Sequence, residues 1–225
     1  LTDPKPGRPH CLPPRGMPLE TTVPDPSVRR LSAYLRHLEL LSAAGTGHVS
    51  SRQLAEHIKA GPAQVRRDLA LFGQFGVPGK GYAAAALIDR LRDILGTRRG
   101  WNVVVVGAGE LGTALLRYPG FPTRGFHAVA ALDIDPARIG ACIGDVVVRD
   151  MAYLKEVIAD TGARLAILTV PADAAQAAAE RLGEAGIDGI LNFAHVGLNA
   201  PEGVHVIYAD VTANLEQLSF LVSSG

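Results

Sequence analysis

The chain has 225 residues, 48% of them apolar, and a formal net charge of zero. It is long enough for two domains and apolar enough for packed cores. No segment approaches the ~18 apolar residues that span a bilayer, the N-terminus does not resemble a secretory signal, and the two cysteines share no metal-ligand spacing. We therefore expect a cytoplasmic protein from a reducing compartment, with no membrane partner, no bound metal, and Cys142 as a small core residue.

The charge is unevenly distributed along the chain. Residues 27–99 carry twelve Lys or Arg against five Asp or Glu, a balance of +7, whereas residues 100–225 carry seven against fourteen, a balance of −7. Residues 1–26 are neutral and hold eight of the fifteen prolines, so we expect a disordered tail there. A basic half joined to an acidic half is typical of a nucleic-acid-binding module fused to another domain.

Residues 27–72 carry three helical patterns. Apolar residues at helical spacing predict a first helix that begins at Ser27 and stops near Gly45. Ser50 and Gln53 have the spacing of a capping box at the start of a second helix, and Pro62 suits the first position of a third. The tight glycine-containing connection between the last two predicts a helix-turn-helix.

The third helix has the side chains of a DNA recognition helix. Val65, Leu69 and Phe72 are expected to face the core. The side chains left facing outward are Ala63, Gln64, Arg66 and Arg67. Arg pairs with guanine edges, Gln pairs with adenine, and either can hold a phosphate. A surface helix with ordinary solvated arginines is the alternative.

The next segment, GQFGVPGKGY (73–82), predicts two very short strands around a tight turn. After a recognition helix this is the wing of a winged helix, with Lys80 at its tip, and a purely structural glycine-rich loop is the alternative. A fourth helix is expected over 84–96. The candidate DNA-binding residues are Ser50, Ser51, Lys59, Ala63, Gln64, Arg66, Arg67, Lys80 and Tyr82.

From residue 101 onward, apolar strands alternate with helices. Strands are predicted at 101–107, 126–133, 164–170, 189–193 and 204–210, and helices at 110–118, 151–160, 171–186 and 211–223. Strands that are apolar throughout indicate a parallel sheet covered on both faces. The βαβαβ order is typical of a doubly wound dinucleotide-binding fold.

The stretch VVVVGAGELG places a G-x-G-x-x-G motif directly after the first of these strands. Gly107 permits the tight turn, Gly109 allows close approach of a pyrophosphate, and Gly112 allows the helix to pack on the strand. Asp133, at the end of the next strand, can accept both ribose hydroxyls and repel a 2′-phosphate. No arginine follows it before Arg138, which favours NAD(H) over NADP(H). A Rossmann-like domain that binds CoA, or nothing, is the alternative.

Evidence for catalysis is sparse in the sequence. The seven histidines form no cluster, and only His195, directly after a strand, is placed like a catalytic group. A structural role for His195 is the equal alternative. The dinucleotide-binding half leaves no room for a separate substrate domain. We therefore expect a binding protein rather than an enzyme, with an NAD-dependent oxidoreductase bearing a small basic domain as the alternative.

Several stretches taken in order resemble the Rex family of redox-sensing transcriptional repressors, from about Ser27 to Ser223. They are LSAYLR (31–36), SSRQLAE (50–56), QVRRDLALFGQFGVPGKGY (64–82), VVVVGAGELGTALLRYPGF (103–121), FHAVAALDIDP (126–136), ILTVPADAAQ (167–176) and GILNFAHVGLNAPEGV (189–204). The resemblance implies a homodimer that binds palindromic double-stranded operator DNA when NADH is scarce and releases it when NADH rises. It also implies winged-helix domains, NAD(H)-binding Rossmann domains and an exchanged C-terminal helix.

The resemblance also assigns segments and residues. The expected segments are a tail (1–26), a winged-helix DNA-binding domain (27–99), a Rossmann domain (100–209) and a dimerisation helix (210–225). The candidate cofactor-binding residues are Gly107, Ala108, Gly109, Glu110, Leu111, Gly112, Asp133, Ile134, Thr169, Val170, Pro171, Asn192, Phe193 and Ala194. Switch roles are implied for Arg36, Tyr118 and Asp210, because the matching residues exchange partners between the NAD⁺ and NADH states in the family. Taken separately, a solvated Arg, a structural Tyr and a capping Asp are the alternatives, and as a set the three favour the switch.

The chain departs from the family at a few positions. Val77 and Pro78 stand where the wing commonly has Thr-Arg, and His195 stands where Pro is usual. Some members carry outward aromatic residues at positions occupied here by Ala63 and Leu71, and an aromatic residue at that of Val211. These differences concern operator affinity and the nicotinamide pocket rather than the fold.

Overall fold

The structure is a computed structural model that describes residues 25–56, 58, 60–77 and 79–224. The chain divides into two compact units, the first ending at Arg98 and the second beginning at Arg99. Up to residue 24 the predicted disordered tail lies outside the described residues. None of the described helices is both long enough and apolar enough to cross a bilayer.

The first unit is a winged helix, as the sequence predicts. Its elements are α1 (Asp25–Ala43), β1 (His48–Val49), α2 (Ser51–Glu56), α3 (Pro62–Ala70), β2 (Gly76–Val77), β3 (Gly81–Ala83) and α4 (Ala84–Ile94). The strands form a small antiparallel sheet in the order β1-β3-β2. Strand β1 is not predicted, because two residues are too short to show a periodic pattern.

Local chemistry accounts for the helix boundaries in this unit. The backbone N–H of Ser50 donates to Gln53 Oε1 (2.9 Å), and the backbone N–H of Gln53 donates to Ser50 Oγ (3.2 Å). The capping box is therefore confirmed, as is Pro62 at the first position of α3. One buried core is formed by apolar side chains of the four helices, among them Leu31 and Leu54. Packing in this core stabilises helices that are too short to be stable in isolation.

The second unit is a doubly wound α/β domain, which confirms the predicted fold class. Its strands are β4 (Trp101–Val106), β5 (Phe126–Asp133), β6 (Cys142–Ile143), β7 (Val146–Asp150), β8 (Leu165–Leu168), β9 (Gly189–Asn192) and β10 (His205–Tyr208). Its helices are α5 (Glu110–Leu116), α6 (Leu154–Thr161), α7 (Ala172–Glu184) and α8 (Val211–Ser223). The sheet order is β10-β9-β8-β4-β5-β7-β6.

The sheet order places the ligand crevice. All neighbouring strands are parallel except the β6–β7 pair. The chain builds outward from β4 through β5 and then crosses to β8, so the direction of winding reverses between β4 and β8. In open α/β sheets, ligands bind at the carboxyl ends of the strands beside such a reversal.

Alternate residues of β4 pack on opposite faces of the sheet. Val104 and Val106 belong to the core shared with α6 and α7, whereas Val103 and Val105 pack with residues of β8 and α5. This arrangement explains why the strand is apolar throughout. In α8, by contrast, every described residue is exposed.

The segment between β5 and α6 corrects two expectations. No strand is predicted there from the sequence, yet β6 and β7 form a hairpin on the edge of the sheet. Cys142 is exposed, so the expectation of a small core residue is wrong. The reason is position: β6 is an edge strand, and its neighbour Ile143 points into the core while Cys142 points away.

Candidate nucleotide and DNA sites

Two of the three glycines in the motif are required by close backbone packing. Gly107 has φ +98°, and a Cβ there would lie 2.8 Å from the carbonyl oxygen of Thr169. A Cβ on Gly112 would overlap the carbonyl oxygen of Gly107. At Gly109 a Cβ would meet only the Arg138 guanidinium, at 3.8 Å. The turn is therefore closed against its own backbone at Gly107 and Gly112 and open to a ligand at Gly109.

A cavity of about 530 Å³ lies beside this turn, within the range of small-molecule sites. Its lining residues are Ala108, Gly109, Glu110, Thr113, Ala114, Arg117 and Arg138. Three predicted cofactor-binding residues thus share one cavity with two arginines. Sequence reasoning missed both arginines as site residues, because a single basic residue in a helix or loop carries no distinguishing pattern.

Asp133 is a buried acceptor at the end of β5. Its Oδ2 accepts the backbone N–H of Ala108 (2.7 Å) and pairs with Arg138 Nη1 (3.2 Å), and its Oδ1 accepts the backbone N–H of Ile134 (2.8 Å) and of Asp135 (2.9 Å). Burial alone raises the pKa of Asp133, but these donors outweigh it and lower that pKa below its ordinary value. A fixed negative charge therefore stands beside the glycine-rich turn.

A second cavity, of about 220 Å³, lies at the carboxyl ends of β9 and β10. Its lining residues are Asn192, Ala194, His195, Val196, Gly197, Tyr208, Ala209 and Asp210. It brings predicted cofactor residues together with His195 and the predicted switch residue Asp210. The buried Asn192 side chain accepts the backbone N–H of Ala194 at Oδ1 (2.9 Å) and donates from Nδ2 to the carbonyl oxygen of Val196 (3.1 Å). These hydrogen bonds hold the loop that forms one wall of the cavity.

The other predicted cofactor residues surround the crevice. Thr169 Oγ1 donates to the carbonyl oxygens of Gly107 (2.7 Å) and Val106 (3.1 Å), which ties the end of β8 to the glycine-rich turn. Phe193 is half-buried on the α5 side of the sheet. The exposed members are Leu111, Ile134 and Pro171, and Val170 is half-buried.

The predicted switch residues belong to three different elements of the chain. Arg36 is exposed on α1 of the first unit. Tyr118, just after α5, is exposed and meets the ring of Phe121 edge-to-face at 5.1 Å. Asp210 caps α8 by accepting the backbone N–H of Ala213 at 2.9 Å.

The predicted DNA-binding residues concentrate on α3 and the start of α2. Arg66 and Arg67 are exposed. Arg66 Nη1 donates to Ser51 Oγ at 3.0 Å, and Arg67 Nη2 donates to Gln64 Oε1 at 2.6 Å. The outward face of α3 therefore carries two hydrogen-bonded polar pairs, Arg66 with Ser51 and Arg67 with Gln64. Ala63 is exposed beside them.

The wing departs from expectation at Tyr82. Lys80 is exposed at the turn between β2 and β3, but Tyr82 is buried in the core of the unit. A Cβ on Gly76 would lie 3.0 Å from the Tyr82 ring, so the ring packs beneath the wing. Because strand neighbours alternate sides, the Tyr82 ring lies on the core side of β3 and supports the wing from beneath. A contact between Tyr82 and DNA stays a prediction. Lys59 and Pro78 lie outside the described residues.

Two family models match the chain. Residues 22–70 match the family described as putative DNA-binding protein N-terminus, and residues 98–196 match the CoA binding domain. The chain is 46% identical over 198 residues to the redox-sensing transcriptional repressor Rex of Carboxydothermus hydrogenoformans, covering 88% of this chain and 95% of that one. It is 43% identical over 200 residues to the protein of the same name from Chloroflexus aurantiacus, covering 89% and 94%.

Solved structures of RSP, a Rex-family repressor, are similar along most of the chain. The complex with β-NAD⁺ and operator DNA has a TM-score of 0.85 at 36% identity, covering 91% of this chain and 94% of that one. The complex with β-NADH has a TM-score of 0.83 at 34% identity, covering 91% and 96%.

Proposed function

The chain belongs to the Rex family of redox-sensing transcriptional repressors, and we propose that it binds operator DNA as a homodimer in the cytoplasm and releases it when NADH binds. One observation carries the proposal: a winged helix with an arginine-bearing α3 precedes a dinucleotide crevice in one chain. The RSP structures with operator DNA and with NADH support the same pairing of ligands.

The crevice fits a nicotinamide dinucleotide at each part. The pyrophosphate would lie on the open backbone at Gly109, and the adenosine ribose would face Asp133 at the end of β5. The nicotinamide would then lie on the other side of β4, toward β8, β9 and the cavity at Asp210, which the sheet order supports. NAD⁺ carries a positive charge on this ring that NADH lacks, so a carboxylate there can bind the two forms differently.

Homodimer formation is supported by α8. Its large apolar side chains, including Leu215, Leu218 and Phe220, are 52–74% exposed. An exposed apolar surface of this kind is typical of an interaction interface. A twofold dimer would also match the symmetry of a palindromic operator.

A mobility-shift assay tests the proposal directly. The probe is the duplex that the protein enriches from a random-sequence pool. We expect NADH to release this duplex and the duplex to weaken NADH binding by the same factor, because coupling between two sites is reciprocal. Failure to enrich any sequence, or retention unchanged by NADH, contradicts the proposal.

Two variants test the DNA-binding unit and the nucleotide-binding unit separately. Arg67→Ala should cost about 1–3 kcal/mol of operator binding and leave NADH binding unchanged. Asp133→Ala should weaken NADH binding and leave the fold intact.

The identity of the ligand needs its own control. Because residues 98–196 match the CoA binding domain, the affinities for NADH and for CoA are compared. Since we also propose that the chain is not an enzyme, NADH absorbance should stay constant when small carbonyl compounds are added.

A further inference from the structure

A cluster of polar side chains, the Asp68 cluster, lies between α1 and α3. Its members are Ser27, Arg30 and Tyr34 of α1 and Gln64 and Asp68 of α3. Asp68 is 1% exposed. The function proposed above uses none of these contacts.

The Asp68 carboxylate is fully paired. Arg30 donates two hydrogen bonds to this carboxylate, from Nε to Oδ2 at 2.6 Å and from Nη2 to Oδ1 at 2.7 Å. Tyr34 donates to Oδ2 at 2.8 Å and Gln64 Nε2 donates to Oδ1 at 2.8 Å. A bidentate arginine–carboxylate pair has a narrow range of allowed orientations. The Arg30–Asp68 pair therefore restricts how far α3 can rotate about its own axis relative to α1.

The cluster reaches the outward face of α3 through Gln64. While Nε2 of Gln64 donates to Asp68, its Oε1 accepts from Arg67 Nη2 at 2.6 Å. The amide is thus held in one orientation by Asp68 on one side, and it in turn holds the guanidinium on the other. The buried Asp68 carboxylate is therefore linked by hydrogen bonds to Gln64, and through Gln64 to Arg67, on the outward face of α3.

Apolar packing alone does not impose this geometry. The core contacts of α3, Val65 and Leu69, are aliphatic, and such contacts tolerate small rotations. A buried ion pair is often no more stabilising than apolar residues of similar size, and its best-attested use is to select one arrangement. The Asp68 cluster fits that use.

We propose that Asp68 is a positioning residue that orients Gln64 and Arg67 for reading DNA bases, without touching DNA itself. The inference rests on the proposed function, because it assumes that α3 lies in the major groove. Base hydrogen bonds require defined side-chain directions, whereas phosphate contacts by exposed Arg66 and Lys80 tolerate variation. Loss of the cluster should therefore reduce discrimination between sequences more than it reduces general DNA affinity.

The test compares Asp68→Asn with Asp89→Asn. Asp89 is an exposed aspartate of α4 in the same unit, paired with Arg98 at 2.6 Å, so the chemical change is matched. Affinities are measured for the enriched duplex and for an unrelated duplex of equal length. We expect Asp68→Asn to weaken the enriched duplex about tenfold, leave the unrelated duplex within about twofold, and leave NADH binding unchanged. Asp89→Asn should change none of these.

Two milder variants separate positioning from stability. Arg30→Lys keeps the positive charge but loses the planar guanidinium that donates two hydrogen bonds to Asp68. Tyr34→Phe removes one hydrogen-bond donor, while Arg30 and Gln64 still pair with Asp68. Both should lower the ratio of the two DNA affinities, with the folded fraction checked by circular dichroism. An equal loss of both affinities, or an unchanged ratio in all three variants, overturns the inference. Failure of the wild-type protein to enrich any duplex would instead reject the proposed function.

Discussion

Asp68 and Asp133 show how neighbours decide the state of a buried carboxylate. Both are buried, and burial alone raises the pKa of each. Hydrogen bonds from Arg30, Gln64 and Tyr34 outweigh burial and lower the pKa of Asp68 to about 2. At Asp133 the backbone donors and Arg138 have the same effect. Each site therefore contains a fixed negative charge at neutral pH.

The depressed pKa of Asp68 predicts acid sensitivity of the fold. A carboxyl group with a lowered folded-state pKa stabilises the protein above its unfolded pKa, and that stability is lost as the pH falls through the folded value. Between pH 5 and pH 2 we expect the wild-type chain to lose on the order of 2 kcal/mol that Asp68→Asn does not lose. Denaturant unfolding followed by circular dichroism across this range measures it, and parallel pH profiles of the two proteins would contradict it.

Arg138 changes what the sequence alone suggests about nucleotide selectivity. Its guanidinium lies 3.2 Å from the Asp133 carboxylate and lines the cavity at Gly109. A cation here attracts a ribose 2′-phosphate that Asp133 alone would repel. Arg138→Gln should therefore raise the preference for NADH over NADPH by about fivefold, the scale of a partly exposed ion pair.

Titrations with both nucleotides measure the Arg138 effect. The matched control is Arg117→Gln, which removes another cation from the same cavity and should change both affinities alike. A preference that does not change in Arg138→Gln would show that this guanidinium has no part in selectivity.

At the scale of elements, the glycine-rich turn between β4 and α5 gives a paired prediction. Gly112→Ala places a Cβ against the Gly107 carbonyl, so α5 must move away from β4. We expect a lower melting temperature and weaker NADH binding. Gly109→Ala has room for its Cβ and an ordinary backbone with φ −68°, so it should keep the melting temperature and weaken NADH binding alone. Equal melting temperatures for the two variants would contradict this account of the turn.

Elements with strong local signals are predictable from the sequence. The capping box at Ser50, the proline at the start of α3 and the apolar run of β4 all lead to the observed elements. Strands β1 and β6 have two residues each, too few for any period. In β7 the alternation of buried Val146 and Val148 with exposed Val147 is present, but it is short and follows a loop.

At the scale of the whole molecule, α8 links one chain to the proposed dimer. Leu215→Ser combined with Leu218→Ser removes two exposed apolar side chains, and burying each is worth about 1.5–3 kcal/mol. We expect the dimer dissociation constant to rise about a hundredfold or more. Analytical ultracentrifugation measures this, and Ser219→Ala on the same helix is the control. A double variant that remains as dimeric as the control would exclude α8 from the interface.

Features that depend on neighbours along the chain follow from the amino-acid sequence: two folded parts of opposite charge, the helix caps, the apolar strands and the glycine spacing. Residues far apart in sequence required the tertiary structure. Arg30 meets Asp68 across 38 positions, Asn192 and Asp210 line one cavity, and Cys142 lies on a sheet edge. The physical reason is that hydrogen-bond partners and burial depend on which elements become adjacent, and a periodic pattern gives the face of an element without naming its neighbour.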